Sequence, residues 1–409
     1  MSPKFKAFED SLNEITSTNA RAWDGKRKVS AERWNRTSFH VEYPQPQVVR
    51  RSHIYITIID TCDGKMKPYE RLMTVLSERK QDVDRIPCIN SVSVCTIGFM
   101  NAYDAYWPAA HKDSLKMAKL SSAAHRLCGL DNVSVPFCMT VEAEVLGAVI
   151  DFHEDKIKWP SVRKFNVEDL FDLEFPKDVS ETGRVPVVIE AIKKLKEEFE
   201  GKVPVNAYMV PPFTSISSYL VDSITFLKWL KKAPEKAHQF LKGTIDVYCE
   251  IANLYRDAGA DIITLHSMGA SNDNISPKHF DEFAKPYLTE IIRRLRSPTI
   301  LNICGSALMI VDKMVECGAS AIAVDERTPI KEAREKIDRI KPGYPIIGNV
   351  PSYGVIHQGP VERISGAVKR CIEDGVSVIA PGCDFWLETP TEHIKAFVKA
   401  CIKYGTPPP

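Results

Sequence analysis

The residues that could do chemistry follow short apolar segments along the chain. Cys304 lies in the motif NICG (302–305) and Cys383 in PGCD (381–384), each beside a glycine that allows a sharp turn or a close approach to a ligand. Thiolates are strong zinc ligands, and a catalytic zinc ion takes three protein ligands and one exchangeable position. Other reactive or polarisable side chains and turn residues in equivalent places are Glu142, Glu144, Met209, Pro211, His266, Asn302, Asp325, Glu326, Asn349, Tyr353 and Asp384.

These residues predict a zinc centre held by Cys304 and Cys383. The third ligand is left open between His266, Glu142 and Glu144. The alternative for each cysteine is that it only fills the core, because an isolated cysteine after a strand is often a small buried hydrophobe. The candidate catalytic residues are Glu142, Asn302 and Asp384.

The elements that must position these side chains alternate regularly. Short β-branched or apolar runs are followed by longer segments with helical periodicity, a pattern typical of a parallel β/α architecture. A helical stretch at 218–257 is expected to break near Pro234, and Gly259, Gly318, Gly343 and Gly375 end helices before the next strand. The predicted strands are 86–96, 133–141, 203–210, 261–265, 299–303, 319–324, 345–349 and 376–380.

Eight such units predict a (β/α)8 barrel, in which chemistry sits at the C-terminal ends of the strands. The alternative is a doubly wound open sheet, which would need a glycine-rich phosphate turn after its first strand. The segment VCTIG (94–98) does not provide one. Residues 1–65 stand apart, with aromatic anchors and proline punctuation, and predict an N-terminal arm or cap before a barrel domain at 66–409.

Composition narrows the class of protein. The 409 residues carry a net charge of +1, which gives no reason to expect nucleic acid or an anionic membrane surface as a partner. An odd number of cysteines, 11, without an N-terminal apolar signal segment indicates a reducing compartment. With no apolar run of the length that spans a bilayer, we expect a cytoplasmic protein.

Several segments resemble one known family. The stretches ERL (70–72) to DRIP (84–87), VPFCMTVEAE (135–144), ISP (275–277) to PY (286–287) and APGCD (380–384) are similar to the uroporphyrinogen decarboxylase superfamily. The resemblance is to its zinc-dependent corrinoid methyltransferase branch and covers about four-fifths of the chain. The decarboxylase itself is the less similar branch, because 91–98 lacks the arginines that would pair substrate carboxylates.

The resemblance implies a zinc ion held by a His-x-Cys pair and a distant cysteine. Cys304 and Cys383 fall on the two cysteine positions, whereas the histidine position is Asn302. Because asparagine is a poor zinc ligand, the ion must recruit His266 or a glutamate of the 142–144 segment. Fewer strongly donating ligands would leave a more electrophilic ion, which favours removal of a methyl group from a methoxylated or methylated compound.

The expected reaction moves a methyl group between a small methylated substrate and the cobalt of a separate corrinoid protein, since the chain shows no corrinoid-binding module of its own. Methylation of a thiol of the coenzyme M type remains the alternative direction. A metal-free, decarboxylase-like or binding barrel is the alternative of another class. Homo-oligomer formation is left open. Candidate walls of the substrate pocket are Tyr353, Phe385, Trp386 and Met209.

Overall fold

A parallel sheet of seven strands is the main element of the described part of the chain. The computed structural model describes residues 66–163 and 167–406. The sheet runs β1-β4-β5-β6-β7-β8-β9, every neighbouring pair is parallel, and β2 and β3 form a separate antiparallel pair. The strands are β1 (Val133–Val135), β2 (Ile150–Asp151), β3 (Ser161–Val162), β4 (Val205–Met209), β5 (Ile262–His266), β6 (Thr299–Ile303), β7 (Ala321–Val324), β8 (Ile346–Val350) and β9 (Val378–Pro381).

The first predicted strand, 86–96, is wrong over most of its length. Only Cys88 forms a bridge, to Ile379 of β9. The chain turns away because the Asn90 side chain accepts a hydrogen bond from the Val92 amide and donates one to the Ser93 carbonyl. The Cys88 carbonyl oxygen accepts a hydrogen bond of 2.7 Å from the Asp131 amide. The α/β class and the curled parallel sheet are confirmed, with seven strands in place of eight.

Helices connect successive strands of this sheet. The predicted break at Pro234 is confirmed, since one helix ends at Lys232 and the next begins at Pro234. The α-helices are α1 (Pro68–Leu76), α2 (Ile97–Tyr103), α3 (Ala109–Lys112), α4 (Ser114–Cys128), α5 (Val141–Val145), α6 (Val185–Phe199), α7 (Pro212–Ser215), α8 (Ser223–Lys232), α9 (Pro234–Asp257), α10 (Pro277–His279), α11 (Lys285–Arg294), α12 (Val311–Glu316), α13 (Ile330–Asp338), α14 (Val361–Glu373) and α15 (Thr391–Gly405). Short π-helical turns lie at Ile216–Leu220, Phe280–Ala284 and Ser352–His357.

Two sequence predictions about boundaries have different outcomes. The four glycines expected to end helices all adopt positive φ, between 77° and 110°, where a side chain would be strained. The predicted strand 133–141, in contrast, ends at Val135, and Val141–Val145 is the helix α5. The correction places Glu142 and Glu144 on a helix rather than at the end of a strand.

Side chains on the strands alternate between two apolar layers. The smaller layer contains Ile262, Ile300 and Val378 and is closed at the N-terminal ends of the strands by Leu72 and Val75 of α1. The larger layer, which includes Leu265, Leu301 and Ile379, packs between the sheet and the helices. Because side chains alternate along a strand, His266 and Asn302 share the inner face with Ile262 and Ile300.

The predicted N-terminal arm at 1–65 lies outside the described residues. Within 66–163 and 167–406, no helix combines the length and the apolar character needed to cross a bilayer.

Candidate metal centre

Three side chains that the sequence singled out meet at the C-terminal ends of the strands. His266 is the last residue of β5, Cys304 directly follows β6, and Cys383 lies two residues beyond β9. One nitrogen of His266 and the two sulfurs all lie within 4.8 Å of one another. The imidazole Nε2 is 3.4 Å and the Cys383 sulfur 3.2 Å from the sulfur of Cys304.

This arrangement fits zinc. With Zn–S bonds of about 2.3 Å and Zn–N bonds of about 2.0 Å, two ligand atoms on a tetrahedral ion are separated by about 3.5 to 3.8 Å. The observed separations of 3.4 Å and 3.2 Å are slightly shorter than these values. Two sulfurs and one imidazole nitrogen would match the three protein ligands that an open, catalytic zinc site requires.

Glycines make the close approach of these segments feasible. Gly305, next to Cys304, has a φ of 101°, and a Cβ there would lie 2.7 Å from an oxygen of Asp273. Gly382, next to Cys383, lies so close to the Glu326 carboxylate that a Cβ would be 2.1 Å from its Oε2 atom. A side chain at either position would require the facing residues to move: Asp273 and Ser271 at Gly305, and Glu326 at Gly382.

Hydrogen bonds within the centre shift the pKa values of the two cysteines in opposite directions. The bonds from Cys304 and His266 hold the pKa of Cys383 well below its usual range, whereas the bond to Cys383 and burial raise the pKa of Cys304. Burial acts to lower the pKa of His266, but the hydrogen bond and charge of Cys383 outweigh it and raise that pKa. Cys383 is therefore the sulfur that most readily exists as a thiolate, the form that binds zinc.

The two glutamates considered as third ligands lie elsewhere. Glu144 accepts a hydrogen bond of 2.6 Å from the Arg184 guanidinium, which engages it away from the sulfurs. Glu142 is buried with its Oε1 atom unpartnered, and burial raises its pKa to about 7 against the opposing effect of the Glu142 and Val210 amides. Neither carboxylate belongs to the group formed by the imidazole and the two sulfurs.

The other two catalytic candidates border the centre directly. Asn302 accepts a hydrogen bond of 3.4 Å from the Cys304 sulfur and donates one of 3.0 Å to the Ser91 hydroxyl. Burial, together with the charge of Cys383, raises the pKa of Asp384 to about 7, although its Oδ1 accepts a hydrogen bond from the Ser93 amide.

The candidate pocket walls separate into two pairs. Tyr353 and Trp386 are about half exposed, with ring centroids 5.0 Å apart, in the turns after β8 and β9. Met209 and Phe385 are each only 1% exposed, and both belong to the apolar layer between sheet and helices. Met209 and Phe385 thus pack in the apolar core, and their assignment as pocket walls stays a prediction.

Three residues at this end of the sheet were missed by sequence reasoning. Tyr208 lies on the inner face of β4, with its ring centroid 6.3 Å from that of His266. His357 stacks on Tyr353 at 5.3 Å, and Ser352 accepts a hydrogen bond from the Cys383 amide. The alternation of β4 could have found Tyr208, and the four-residue spacing from Tyr353 could have found His357.

Comparison with known proteins decides the family. The family model for "Uroporphyrinogen decarboxylase (URO-D)" matches residues 67–404. The chain belongs to the uroporphyrinogen decarboxylase family. Within this family, the methylcobamide:CoM methyltransferase MtaA of Methanosarcina barkeri is 32% identical over 82% of this chain and 97% of the relative. The methylated-thiol–coenzyme M methyltransferase of Methanosarcina mazei is 30% identical over 84% of this chain and 91% of the relative.

A solved structure agrees with these relatives. A methyltransferase from Methanosarcina mazei superposes with a TM-score of 0.78 at 33% identity, covering 83% of this chain and 99% of that chain. A uroporphyrinogen decarboxylase of Microcystis aeruginosa is more distant, at 24% identity over 54% of this chain. The predicted resemblance to the methyltransferase branch of the uroporphyrinogen decarboxylase family is confirmed, and with it the prediction of a corrinoid-dependent methyltransferase.

Proposed function

We propose that this protein is a zinc-dependent methyltransferase that moves a methyl group between the cobalt of a separate corrinoid protein and a thiol. Its scaffold is a (β/α)8 barrel in which residues 87–90 take the place of the first strand. The observation that carries the proposal is the meeting of His266, Cys304 and Cys383 at one end of the parallel sheet.

The thiol is preferred over an ether because of the donor set. The argument for a methoxylated substrate depended on the loss of a nitrogen donor at position 302, and His266 supplies a nitrogen from the neighbouring strand. Two thiolates and an imidazole then surround the ion, and their negative charge lowers its ability to polarise an ether oxygen. The names of the relatives, which act between methylcobamide and coenzyme M or on methylated thiols, point in the same direction.

The protein's own residues have three tasks in this proposal. His266, Cys304 and Cys383 would hold the ion, which when bound lowers the pKa of an added thiol so that it loses its proton near neutral pH. Tyr353 and Trp386 offer half-exposed aromatic faces at the entrance, where the corrinoid protein would dock. A substrate sulfur that has lost its proton can take the methyl group by direct displacement, in which the S–CH3 bond forms as the Co–CH3 bond breaks. The cobalt of the partner protein keeps the electron pair and leaves as Co(I).

Zinc analysis and methyl transfer together test the proposal. We expect one zinc ion per chain in the wild type and little in His266→Ala, Cys304→Ala or Cys383→Ala. Transfer from methylcobalamin to coenzyme M, followed by the absorbance of methylcobalamin, should fall at least about 100-fold in each variant, since the ion contributes several kcal/mol. The control is Cys317→Ala, a buried cysteine outside the centre, which should keep both zinc and activity.

A stoichiometric zinc ion that survives the double variant Cys304→Ala, Cys383→Ala would contradict this site. Absence of zinc in the wild type, with activity unchanged in all variants, would support the metal-free barrel instead.

Demethylation of an ether is the second candidate, and one observation favours it. Asp384, next to Cys383, has its pKa raised to about 7 by burial and by the charge of Cys383, so it can hold a proton near neutral pH and could give it to a departing alkoxide. Incubation with reduced corrinoid and a panel of methoxyarenes and thioethers separates the candidates. Methylcobalamin formed from methoxyarenes but not from thioethers would reject the thiol proposal.

A further inference from the structure

Asn302 has the contacts of a side chain that borders the metal centre without belonging to it. It is 4% exposed, and its position on β6 is paired in the sheet with His266 on β5. Its amide nitrogen donates to the Ser91 hydroxyl at 3.0 Å, and its amide oxygen accepts from the Cys304 sulfur at 3.4 Å. The amide is therefore held on both sides and itself holds the Cys304 side chain.

The position of its oxygen is informative. The Oδ1 atom of asparagine and the Nδ1 atom of histidine are both two bonds from Cβ, so a histidine at 302 could place a nitrogen close to the present oxygen. That oxygen lies 3.4 Å from the Cys304 sulfur, the same separation that joins this sulfur to the imidazole of His266. A ligand at position 302 would thus stand at the spacing of a further donor on the same ion.

We propose that Asn302 is a positioning residue that keeps one coordination position of the zinc ion free for substrate. With Cys304 ionised on the metal, the Asn302 amide can turn over so that its N–H donates to the thiolate and its oxygen accepts from the Ser91 hydroxyl. In either orientation it presents only a weakly donating amide where a stronger ligand would close the site. The inference rests on the proposed zinc site. It adds that His266 binds the ion, whereas Asn302, its paired residue on the neighbouring strand, leaves one coordination position open.

Cobalt substitution tests this directly, because the visible spectrum of Co²⁺ reports both the number of ligands and the arrival of a thiol. In the wild type, addition of coenzyme M should change the spectrum of the cobalt-loaded protein. In Asn302→His, four protein ligands should bind Co²⁺ more tightly than the wild type does, and the change on adding thiol should be lost. Asn302→Ala should keep the thiol response while Co²⁺ affinity falls about 10-fold, since Cys304 is no longer held.

The exchange of the two residues provides a matched second test. His266→Asn alone should lose most Co²⁺ binding. The double variant His266→Asn, Asn302→His contains the same side chains in swapped positions, and it should regain both Co²⁺ binding and the thiol response. Circular dichroism of each variant identifies any that fail to fold. The double variant has the same amino-acid composition as the wild type, and it remains informative if Asn302→His alone does not fold.

Two results would overturn the inference. One is an Asn302→His protein that responds to thiol as the wild type does. The other is a folded double variant that binds Co²⁺ no better than His266→Asn, because the side chain at 302 would then not reach the ion. Failure of the wild type to bind Co²⁺ at all would instead reject the underlying zinc site, so the two failures are distinguishable.

Discussion

His266 ends β5 beside Asn302 of β6, and this pairing determines the chemistry available at the centre. Neighbouring strands lie about 4.8 Å apart, and paired residues of parallel strands point to the same face. A nitrogen donor at either of the two paired positions could therefore reach the same ion. The imidazole from β5 thus joins the two sulfurs in one group of possible metal ligands without a histidine at position 302.

Glu142 supplies a prediction at the scale of one residue. Its pKa is raised to about 7 from an ordinary value near 4.5, so its neutral form is favoured in the folded protein. The stability due to this group is present in full below about pH 4.5 and is lost as the pH rises through 7. Glu142→Gln, which is always neutral, should thus be more stable than the wild type at pH 8, by up to about 3 kcal/mol.

Urea unfolding at pH 5 and pH 8 measures this difference. The advantage of Glu142→Gln should be much smaller at pH 5. An equal effect at both values would show that the carboxyl group does not titrate in this range.

Among the elements, the segment 87–90 shows how the sheet is completed where a strand fails to form. Asp131, 1% exposed, accepts hydrogen bonds from the guanidinium groups of Arg71 and Arg85 and from the Cys88 amide. This carboxylate ties α1, the 87–90 segment and the residues preceding β1 to one another. Side-chain bonds therefore replace part of the backbone pairing that an additional strand would have made.

Asp131→Ala should destabilise the fold by about 3 to 5 kcal/mol, because it leaves the buried Arg85 guanidinium without its carboxylate partner and removes one of the two carboxylates that pair with Arg71. The free energy of unfolding in urea measures the loss. Lys112→Ala is the matched control, since its pair with Glu154 is exposed on both sides, and it should cost less than about 1 kcal/mol. Equal losses in the two variants would contradict the importance given to Asp131.

For the molecule as a whole, the centre joins parts of the chain that are far apart in sequence. His266, Cys304 and Cys383 come from the ends of β5, β6 and β9, so an ion held by all three would link both halves of the described sheet. A ligand that binds only the folded state stabilises it in proportion to the logarithm of its concentration. Zinc should consequently stabilise the entire fold rather than one loop.

Thermal melting tests this expectation. When free zinc is about 1,000 times its Kd, the wild type should gain about 4 kcal/mol, seen as a higher Tm that chelation reverses. Cys317→Ala should retain the gain, and the double variant Cys304→Ala, Cys383→Ala should lose it. A wild-type Tm that neither zinc nor a chelator changes would contradict a structural link through the ion.

The sequence alone determined the features that depend on local pattern. The alternation of apolar runs and helical periods predicted the parallel α/β class, the strand at 299–303 and the break before Pro234, because periodicity and proline geometry act over a few residues. The resemblance of short motifs identified the family and both cysteines.

The tertiary structure decided what depends on packing between distant segments. It grouped His266 with the two sulfurs, and it placed Glu144 against Arg184 and Met209 toward the helices. Local pattern could not choose among these residues, because each follows an apolar segment in the same way. Only the register between β5 and β6 shows which side chains share a face and lie within reach of one ion.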